Sequence, residues 1–405
     1  MRMFGWLGAL LLPVLGIAVV LGVGYFFAPV APSLALLWLL PIGVGVIVVM
    51  LLIRPLARRM GWRAGPPTAI AAIATLVPFA GLATWVATAS LPMLLPPSPD
   101  PRGTPTIVSL PTGSRLATWS LRGDGTRRRT PVLFLHGGPG YYVKPRDLRM
   151  GAAFRRAGFD TFYHDQAGSG ASGDLPTADY TVARQVADIE ALRQHLGAER
   201  LVLWGESWGA VVAAHYALAH PDRLAGAVFT SPGEYPGQRE VEFDFSRVMP
   251  SRAPSRAPQM MVLYLLLTRA PQLAESWMDQ QTARRVSSAI QVAELKNPGP
   301  RCKGSVWDRR PRQRIADSSV YTLRRVLLNG FAQPAPPPRS FEVPALIVRG
   351  ACDFIPDIAA RRYTEAYRGA ALLTVQGAGH SLLDHEADFE KAAEGFARAK
   401  INTLP

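Results

Sequence analysis

A serine held between two glycines directly after an apolar segment constrains this chain more than any other feature. The pentapeptide GESWG at 205–209 follows the apolar residues 201–204 and precedes an apolar helical stretch at 210–219. A strand-to-helix turn this sharp needs neighbours without bulky side chains, and it projects the hydroxyl of Ser207 above the edge of a sheet. An ordinary turn with a serine near a helix N-cap has the same local pattern. The rest of the chain must therefore decide whether Ser207 is a nucleophile.

Short apolar runs alternate with helical patterns beyond residue 105. The runs predict strands at 106–110, 115–121, 132–135, 161–163, 201–204, 226–230, 345–348 and 372–375. Amphipathic patterns predict helices at 147–157, 180–196, 208–219 and 358–367. This alternation predicts an α/β fold, a mostly parallel sheet with helices on both faces, and the first two strands form an antiparallel hairpin at its edge.

The alternation stops for more than a hundred residues after Thr230 and gives way to helical, arginine-rich and proline-rich sequence. We expect a helical cap inserted over the carboxyl edge of the sheet. The predicted domains are a membrane region at 1–95, a proline-rich linker at 96–105, a catalytic domain at 106–232 and 341–405, and the cap at 233–340.

Three uncharged apolar stretches at the N-terminus, 6–27, 34–53 and 68–95, are each long enough to cross about 30 Å of hydrocarbon. They predict three transmembrane helices, with a cleaved signal peptide as the alternative for the first. The link from 54 to 63 carries four arginines and no acid. Positive charge favours the cytoplasmic side, so everything beyond Leu95 is predicted to be extracytoplasmic.

The charge of the chain indicates contact with lipid rather than nucleic acid. The net charge is +14, and five arginines precede the first acid, Asp100, which leaves a basic outer part. Such a surface suits anionic membrane lipid, and no basic stripe with interleaved aromatics supports nucleic-acid binding. The two cysteines, Cys302 and Cys352, would meet an oxidising compartment, where they either form a disulfide or stay as buried thiols.

Three residues that follow predicted strands have the chain order of a catalytic triad. Ser207 comes first, Asp353 follows the strand at 345–348, and His380 follows the strand at 372–375. In this order Ser207 attacks a carbonyl, His380 carries the proton, and Asp353 orients the imidazole. A helix cap at Asp353 and a loop role for His380 are the alternatives for each residue alone.

A glycine-rich turn, HGGPG at 136–140, follows the strand at 132–135. Its glycines, Gly137 and Gly138, predict backbone N–H donors for an oxyanion hole. The remaining histidines are treated as structural, and none forms a cluster with metal-ligand spacing, so we predict no metal. The segment GSGASG at 168–173 fits a dinucleotide motif only by its letters, because no helix is predicted to open there.

The three motifs HGGPG at 136–140, DQAGSGAS at 165–172 and GESWG at 205–209 resemble those of the proline iminopeptidase family of α/β-hydrolase serine peptidases. The resemblance runs from about residue 106 to the C-terminus. It implies a helical cap, no cofactor, and an exopeptidase that removes an N-terminal residue, preferably proline. It also implies oxyanion donors at the backbone N–H groups of Trp208 and of Gly137 or Gly138.

The chain departs from this family at several positions. Ala167 stands where an arginine is usual, and Glu206 stands where a glycine is usual. The family holds the substrate amine with acids of the cap, for which Glu234 is the first candidate here, and Glu206 and Glu240 are the next.

The leading hypothesis is a membrane-anchored serine aminopeptidase acting on peptides. An esterase acting on small acyl substrates is the alternative on the same scaffold, because fold and triad do not determine the acyl group. A catalytically silent membrane sensor or scaffold is the alternative outside enzymes.

Overall fold

The structure, a computed structural model, describes residues 2–59, 100–126, 128–237, 258–294, 319–332, 339–380 and 385–401, with isolated positions at 73, 76–77, 80–81, 84 and 382. The described residues do not include most of the predicted third span, the start of the linker, Glu240 or Cys302. Cys352 is disulfide-bonded. The chain divides into two compact units, Met1–Pro92 with Pro254–Asp279, and Met93–Ala253 with Gln280–Pro405.

The first unit contains an apolar helical hairpin. Helix α1, Arg2–Phe27, is joined to α2, Leu34–Arg59, by the 3₁₀ turn Ala28–Val30, and the two helices pack together. Two further helices of this unit, α7 at Pro258–Arg269 and α8 at Pro271–Trp277, come from the predicted cap.

Within the described residues, one segment is long and apolar enough to cross a membrane, Leu34–Leu52, with a mean hydropathy of 2.7. The apolar stretch Val14–Val30 is shorter. The prediction of three membrane helices is therefore supported for the second alone, on length and composition. The first predicted span lies in the long helix α1, but its described apolar stretch is shorter than a membrane crossing needs. The third predicted span, 68–95, lies outside the described residues apart from isolated positions.

The second unit is built on an eight-stranded sheet with the order β1-β2-β4-β3-β5-β6-β7-β8. Its strands are β1 Thr106–Ser109, β2 Arg115–Leu121, β3 Val132–Leu135, β4 Thr161–His164, β5 Leu201–Glu206, β6 Leu224–Thr230, β7 Ala345–Gly350 and β8 Ala371–Val375. Strand β2 pairs antiparallel with β1 and β4, and all other pairs are parallel. The predicted α/β class and the edge hairpin are confirmed.

Eight α-helices of this unit are described. They are α3 Pro145–Met150, α4 Ala152–Arg156, α5 Val182–His195, α6 Trp208–Ala219, α9 Gln280–Glu294, α10 Val320–Ala332, α11 Asp357–Ala366 and α12 Glu386–Ala399. The single helix predicted at 147–157 is wrong, because the chain forms two short helices divided at Gly151.

The hydrophobic core lies against the central strands, which are buried on both faces. Every residue of β5 and β6 is buried, as expected for parallel strands covered by helices on each side. The indole of Trp204 lies 4.4 Å from the ring of Phe134 and 5.1 Å from the ring of Phe389, centroid to centroid. Phe389 belongs to α12, so this helix covers one face of the sheet and packs against β5, the strand that leads into the serine turn.

Candidate active site

The serine turn joins β5 directly to α6 and holds Ser207 in a strained conformation. Its φ of 55° and ψ of −113° are unusual for a residue with a side chain. The Ser207 N–H donates to the Thr230 carbonyl at 2.9 Å, and its carbonyl accepts from the Gly233 N–H at 3.2 Å. These bonds to the end of β6 and to the segment beyond it hold the strained residue in place.

The two glycines of the turn are required by close backbone contacts. A Cβ atom on Gly205 would lie 2.6 Å from the Ala210 Cα, at the start of α6. A Cβ on Gly209 would overlap the carbonyl oxygen of Leu135, the last residue of β3. Helix α6 can therefore lie close under the sheet only without side chains at these positions.

The structure brings Ser207, His380 and Asp353 together at the carboxyl edge of the sheet. The His380 Nε2 lies 2.9 Å from the Ser207 Oγ, and the His380 Nδ1 lies 2.7 Å from the Asp353 Oδ1. Asp353 follows β7 and its side chain is buried, whereas the His380 side chain is 18% exposed. With Nδ1–H donating to the carboxylate, Nε2 is left to accept the serine proton, which is the geometry of a general base.

Two further contacts restrain this arrangement. The Asp353 Oδ1 also accepts from the Ile355 N–H at 2.9 Å, which fixes the carboxylate. The Phe354 ring packs against the imidazole of His380 at 4.3 Å between centroids. The imidazole is thus held by one hydrogen bond at each nitrogen and by an aromatic face.

The glycine-rich turn after β3 lies directly against the serine. A Cβ on Gly137 would lie 3.2 Å from the Ser207 Cβ and 3.7 Å from its Oγ. Trp208 is the first residue of α6, so its backbone N–H belongs to the helix end, whose amides lack intrahelical partners. Gly137 and Trp208 therefore lie next to the serine, and the oxyanion hole predicted at Trp208 and at Gly137 or Gly138 stays a prediction.

A chain of hydrogen bonds, buried except for its part-buried first member, connects the Trp208 side chain to the Gly137 carbonyl. The Trp208 indole N–H donates to Gln185 at 3.0 Å, and the Gln185 amide donates to Gln166 at 3.0 Å. The Gln166 side chain donates to the His136 carbonyl, and its backbone N–H donates to the His136 Nε2, both at 2.9 Å. Since Nε2 accepts, the His136 Nδ1–H donates to the Gly137 carbonyl at 2.8 Å.

Burial keeps His136 neutral in this chain of bonds, because it lowers the pKa of His136 to about 3. Sequence analysis treated His136 as structural by default and missed Gln185 altogether. Gln166 carried a signal within the DQ motif, but Gln185 lies on a helix whose pattern does not distinguish it from its neighbours.

Asp165 of the same motif organises the loops around the site. Its carboxylate accepts from the backbone N–H of Val143 at 2.8 Å and of Ala171 at 2.9 Å. The Arg102 guanidinium donates to it at 2.8 Å and also pairs with Asp100. The end of the predicted linker is therefore bound to the catalytic unit through a buried arginine.

The candidate amine-binding acids have different surroundings. The Glu206 carboxylate is buried, 2.7 Å from Arg146 and 3.8 Å from the Lys144 ammonium. Burial alone would raise the pKa of Glu206, but Lys144 and Arg146 together lower it to about 2. Its charge is thus paired with two basic groups, of which Arg146 also lies 3.4 Å from the Asp147 carboxylate.

Glu234 lies next to Gly233, whose N–H donates to the Ser207 carbonyl. Its carboxylate is close enough to Tyr363 to add to the effect of burial, which raises the pKa of that phenol. Glu240 lies outside the described residues.

The other candidates for ligand binding lack the geometry that such sites need. The segment at 168–173 forms turns, and no α-helix begins directly after it, so it is not a dinucleotide loop. In the described part of the chain, no group of three or more histidine, cysteine or acidic side chains has the arrangement of a metal site.

Comparison with known proteins identifies the family of the fold. The sequence model of the alpha/beta hydrolase fold family matches residues 130–387. A proline iminopeptidase from Neisseria gonorrhoeae is 39% identical over 106 residues, which cover 26% of this chain and 33% of that protein. One from Arabidopsis thaliana is 39% identical over 101 residues, which cover 24% of this chain and 25% of that protein.

The matched stretch thus spans a third or less of the length of these relatives. An esterase from Exiguobacterium antarcticum is similar in structure with a TM-score of 0.50 and 18% identity, covering 73% of this chain and 100% of that chain. At this identity the likeness shows the fold alone.

Proposed function

The chain belongs to the α/β-hydrolase family, and from that premise we propose that it is a membrane-anchored serine hydrolase that works through a covalent acyl-enzyme. The proposed serine chemistry rests on one observation. The Ser207 Oγ lies 2.9 Å from the His380 Nε2, and the His380 Nδ1 lies 2.7 Å from the Asp353 Oδ1. A nucleophile, a base and a group that orients the base are the minimum for this chemistry.

In the proposed mechanism the Ser207 Oγ attacks the substrate carbonyl while its proton moves to the His380 Nε2. The oxyanion that forms accepts hydrogen bonds from the backbone N–H of Trp208 and of Gly137 or Gly138. The imidazolium, stabilised by Asp353, then protonates the leaving group, and an acyl-enzyme remains. Water repeats the sequence with His380 as the base and releases the acid product.

A fluorophosphonate probe tests the nucleophile. We expect it to label the full chain at Ser207, and Ser207→Ala to abolish both labelling and hydrolysis. Ser109→Ala, a change of an exposed serine on β1, is the matched control and should leave both unchanged. Labelling of the folded Ser207→Ala variant at the level of the unsubstituted chain would contradict the proposal.

The finer proposal is an aminopeptidase that releases N-terminal proline or a similar residue. The three motifs at 136–140, 165–172 and 205–209 support it, as do the proline iminopeptidases that match part of the chain. Such an enzyme must bind the free amine of its substrate near the serine, and a buried ammonium needs a carboxylate partner. Glu234 is the proposed partner, since its neighbour Gly233 contacts the serine backbone.

Glu234→Gln tests this assignment, because it removes the charge at nearly constant shape. We expect kcat/KM for peptides with a free N-terminus to fall by about 1.5 to 3 kcal/mol, roughly 10- to 150-fold. Hydrolysis of a small neutral ester should stay unchanged. Glu199→Gln, on the exposed surface, is the matched control. Equal loss on both substrates would make Glu234 structural.

An esterase is the second candidate, and the surroundings of Glu206 favour it. Arg146 and Lys144 already compensate this acid, which leaves one described candidate for the amine site. A panel of aminoacyl and acyl chromogenic esters separates the two functions. Activity on acyl esters with none on free-amine substrates supports the esterase, and inactivity on every substrate supports a silent sensor.

The location we propose is the cell membrane, with the catalytic domain on the extracytoplasmic side. Leu34–Leu52 supports anchoring, and the arginines at 54–63 support the orientation. Protease added to intact cells should then digest the catalytic domain and spare an N-terminal tag. Protection of both would contradict the proposed orientation.

A further inference from the structure

Helix α7 is apolar around its whole circumference but is only half covered. The eight residues at 260–267 are all apolar or aromatic. Met260, Leu263, Leu266 and Leu267 are buried, whereas Met261, Tyr264 and Leu265 are 49%, 37% and 52% exposed. These three lie one helical turn apart, at i, i+3 and i+4, so they form one face. Exposure of this apolar face to water would cost free energy.

Helix α7 and its neighbour α8 lie beside the apolar helices of the first unit. Helix α7 contacts the 3₁₀ turn Ala28–Val30, and α8 contacts α2. The Arg269 guanidinium, at the end of α7, lies 3.9 Å from the Tyr25 ring centroid and donates to the Tyr25 carbonyl at 3.2 Å. The part of the insertion that carries α7 is therefore fixed to the link between α1 and α2.

Polar contacts at the start of α8 fix the same position. The Gln272 side-chain amide lies 3.3 to 3.4 Å from the carbonyl oxygens of Ala28, Pro29 and Ala31. These carbonyls belong to the break between two helices, where the Ala28 carbonyl also accepts from the Ala31 N–H at 3.3 Å. The Trp277 indole donates to the Gln259 carbonyl at 3.0 Å and ties the end of α8 to the start of α7.

The link between α1 and α2, which these residues contact, indicates how deep in a membrane α7 would lie. It precedes Leu34–Leu52, the described segment that is long and apolar enough to cross a membrane, and the end of a spanning segment lies at the boundary between hydrocarbon and water. The exposed Tyr25 and Tyr264 both suit this boundary, where aromatic side chains with one polar end are enriched.

We propose that α7 is an interfacial helix, with Met261, Tyr264 and Leu265 inserted into the outer-leaflet lipid beside the α1–α2 link. This face would be covered by lipid, at the level where headgroups meet acyl chains. The reason is that the face is apolar and uncharged, and that α7 lies beside the link between α1 and α2. The inference rests on the proposed membrane anchoring. It adds a second, monotopic contact with the membrane, made by a segment of the insertion far along the chain from the N-terminal helices.

Depth-dependent fluorescence quenching tests the proposal on the full chain in phosphatidylcholine nanodiscs. An environment-sensitive fluorophore is attached to Leu265→Cys and, in separate variants, to Leu39→Cys on α2 and Ser276→Cys on α8. All three positions are exposed in the structure, and Ser276 is a polar control close to α7. The unsubstituted chain treated with the same reagent measures background labelling. Lipids with a nitroxide near the headgroup, or deep in the chain, are the quenchers.

We expect the label at 265 to be quenched more by the shallow lipid than by the deep one, and to be shielded from aqueous iodide. The label at 39 should be quenched more by the deep lipid, and the label at 276 should respond to iodide alone.

Two results would overturn the inference while anchoring stands, provided the label at 39 is quenched by lipid. Access of iodide to position 265 without lipid quenching would place α7 in water. Shielding from both quenchers would mean that protein, such as a second copy of the chain, covers the face. Absence of lipid quenching at 39 would instead contradict the proposed anchoring itself, and the inference would fall with it.

Discussion

Gln185 shows how one buried amide can couple two sides of a reaction site. Its oxygen accepts from the Trp208 indole, and its nitrogen donates to Gln166, which in turn holds His136 beside Gly137. Trp208 and Gly137, whose backbone N–H groups are candidate oxyanion donors, are thus linked by one connected set of neutral hydrogen bonds. Such sets position groups accurately because each member is satisfied only in a single orientation.

We predict that Gln185→Leu lowers kcat with little change in KM. The loss of a typical buried hydrogen bond removes about 0.5 to 1.5 kcal/mol of transition-state stabilisation, roughly a 2- to 13-fold fall in kcat. Steady-state kinetics on the best chromogenic ester measure both constants.

Gln194→Leu on the same helix is the control, because the Gln194 side chain is exposed and donates to Glu190. It should leave kcat unchanged. A rise in KM at constant kcat for Gln185→Leu would contradict a positioning role.

The contact between α6 and β3 sets the geometry of the serine turn at the scale of whole elements. Gly209 lies in the first turn of α6, directly against the Leu135 carbonyl at the end of β3. Leu135 is followed by the glycine-rich turn of the candidate oxyanion hole, so one contact fixes the spacing of both motifs. The distance between α6 and β3 therefore matters both for the packing of the unit and for the placement of the reactive groups.

We predict that Gly209→Ala destabilises the protein by about 2 to 3 kcal/mol, because the added methyl group meets backbone that cannot move aside. The midpoint of thermal unfolding in detergent measures the change.

Gly395→Ala is the matched control. Gly395 lies inside α12, and a Cβ there meets nothing within 4 Å. This substitution should stabilise by about 0.5 to 1 kcal/mol through helix propensity. Equal midpoints for the two variants would mean that the Leu135 contact does not form in solution.

At the scale of the whole molecule, buried histidines make the catalytic unit sensitive to acid. Burial lowers the pKa of His136 to about 3 and of His164 to about 4. In the unfolded chain the same groups titrate near pH 6.5. The unfolded state therefore binds more protons between these values, and stability is complete above pH 6.5 and is lost as the pH falls toward the folded pKa values.

We predict that each of these histidines costs about 2 kcal/mol of stability between pH 7 and pH 5, from the 1.5 units below the unfolded pKa. The His164→Asn variant should lose its share of this pH dependence, whatever its stability at pH 7. Unfolding free energies at the two pH values measure it.

The exposed His195 provides the comparison, and His195→Asn should retain the full dependence. An undiminished pH dependence in His164→Asn would assign the acid sensitivity to other groups.

The sequence alone determined the architecture of the catalytic unit and the order of its reactive residues. Strand β3 and helix α6 have the predicted bounds, and the edge hairpin pairs as expected. The reason is local, since apolar periodicity, glycines and turns are written along the chain. Ser207, Asp353 and His380 were found because strand ends converge at one edge of a parallel sheet, and their catalytic role stays a prediction.

Only the tertiary structure decided which residues support the site and how the insertion is divided. Gln185 and the Arg102–Asp165 pair meet partners far along the chain, and α12 carries Phe389 to the core without being recognised in the sequence. The pairing of Glu206 with Arg146, and the place of α7 and α8 beside the apolar hairpin, likewise depend on long-range contacts. No local pattern encodes such contacts, because burial and charge compensation exist only once separate segments have packed together.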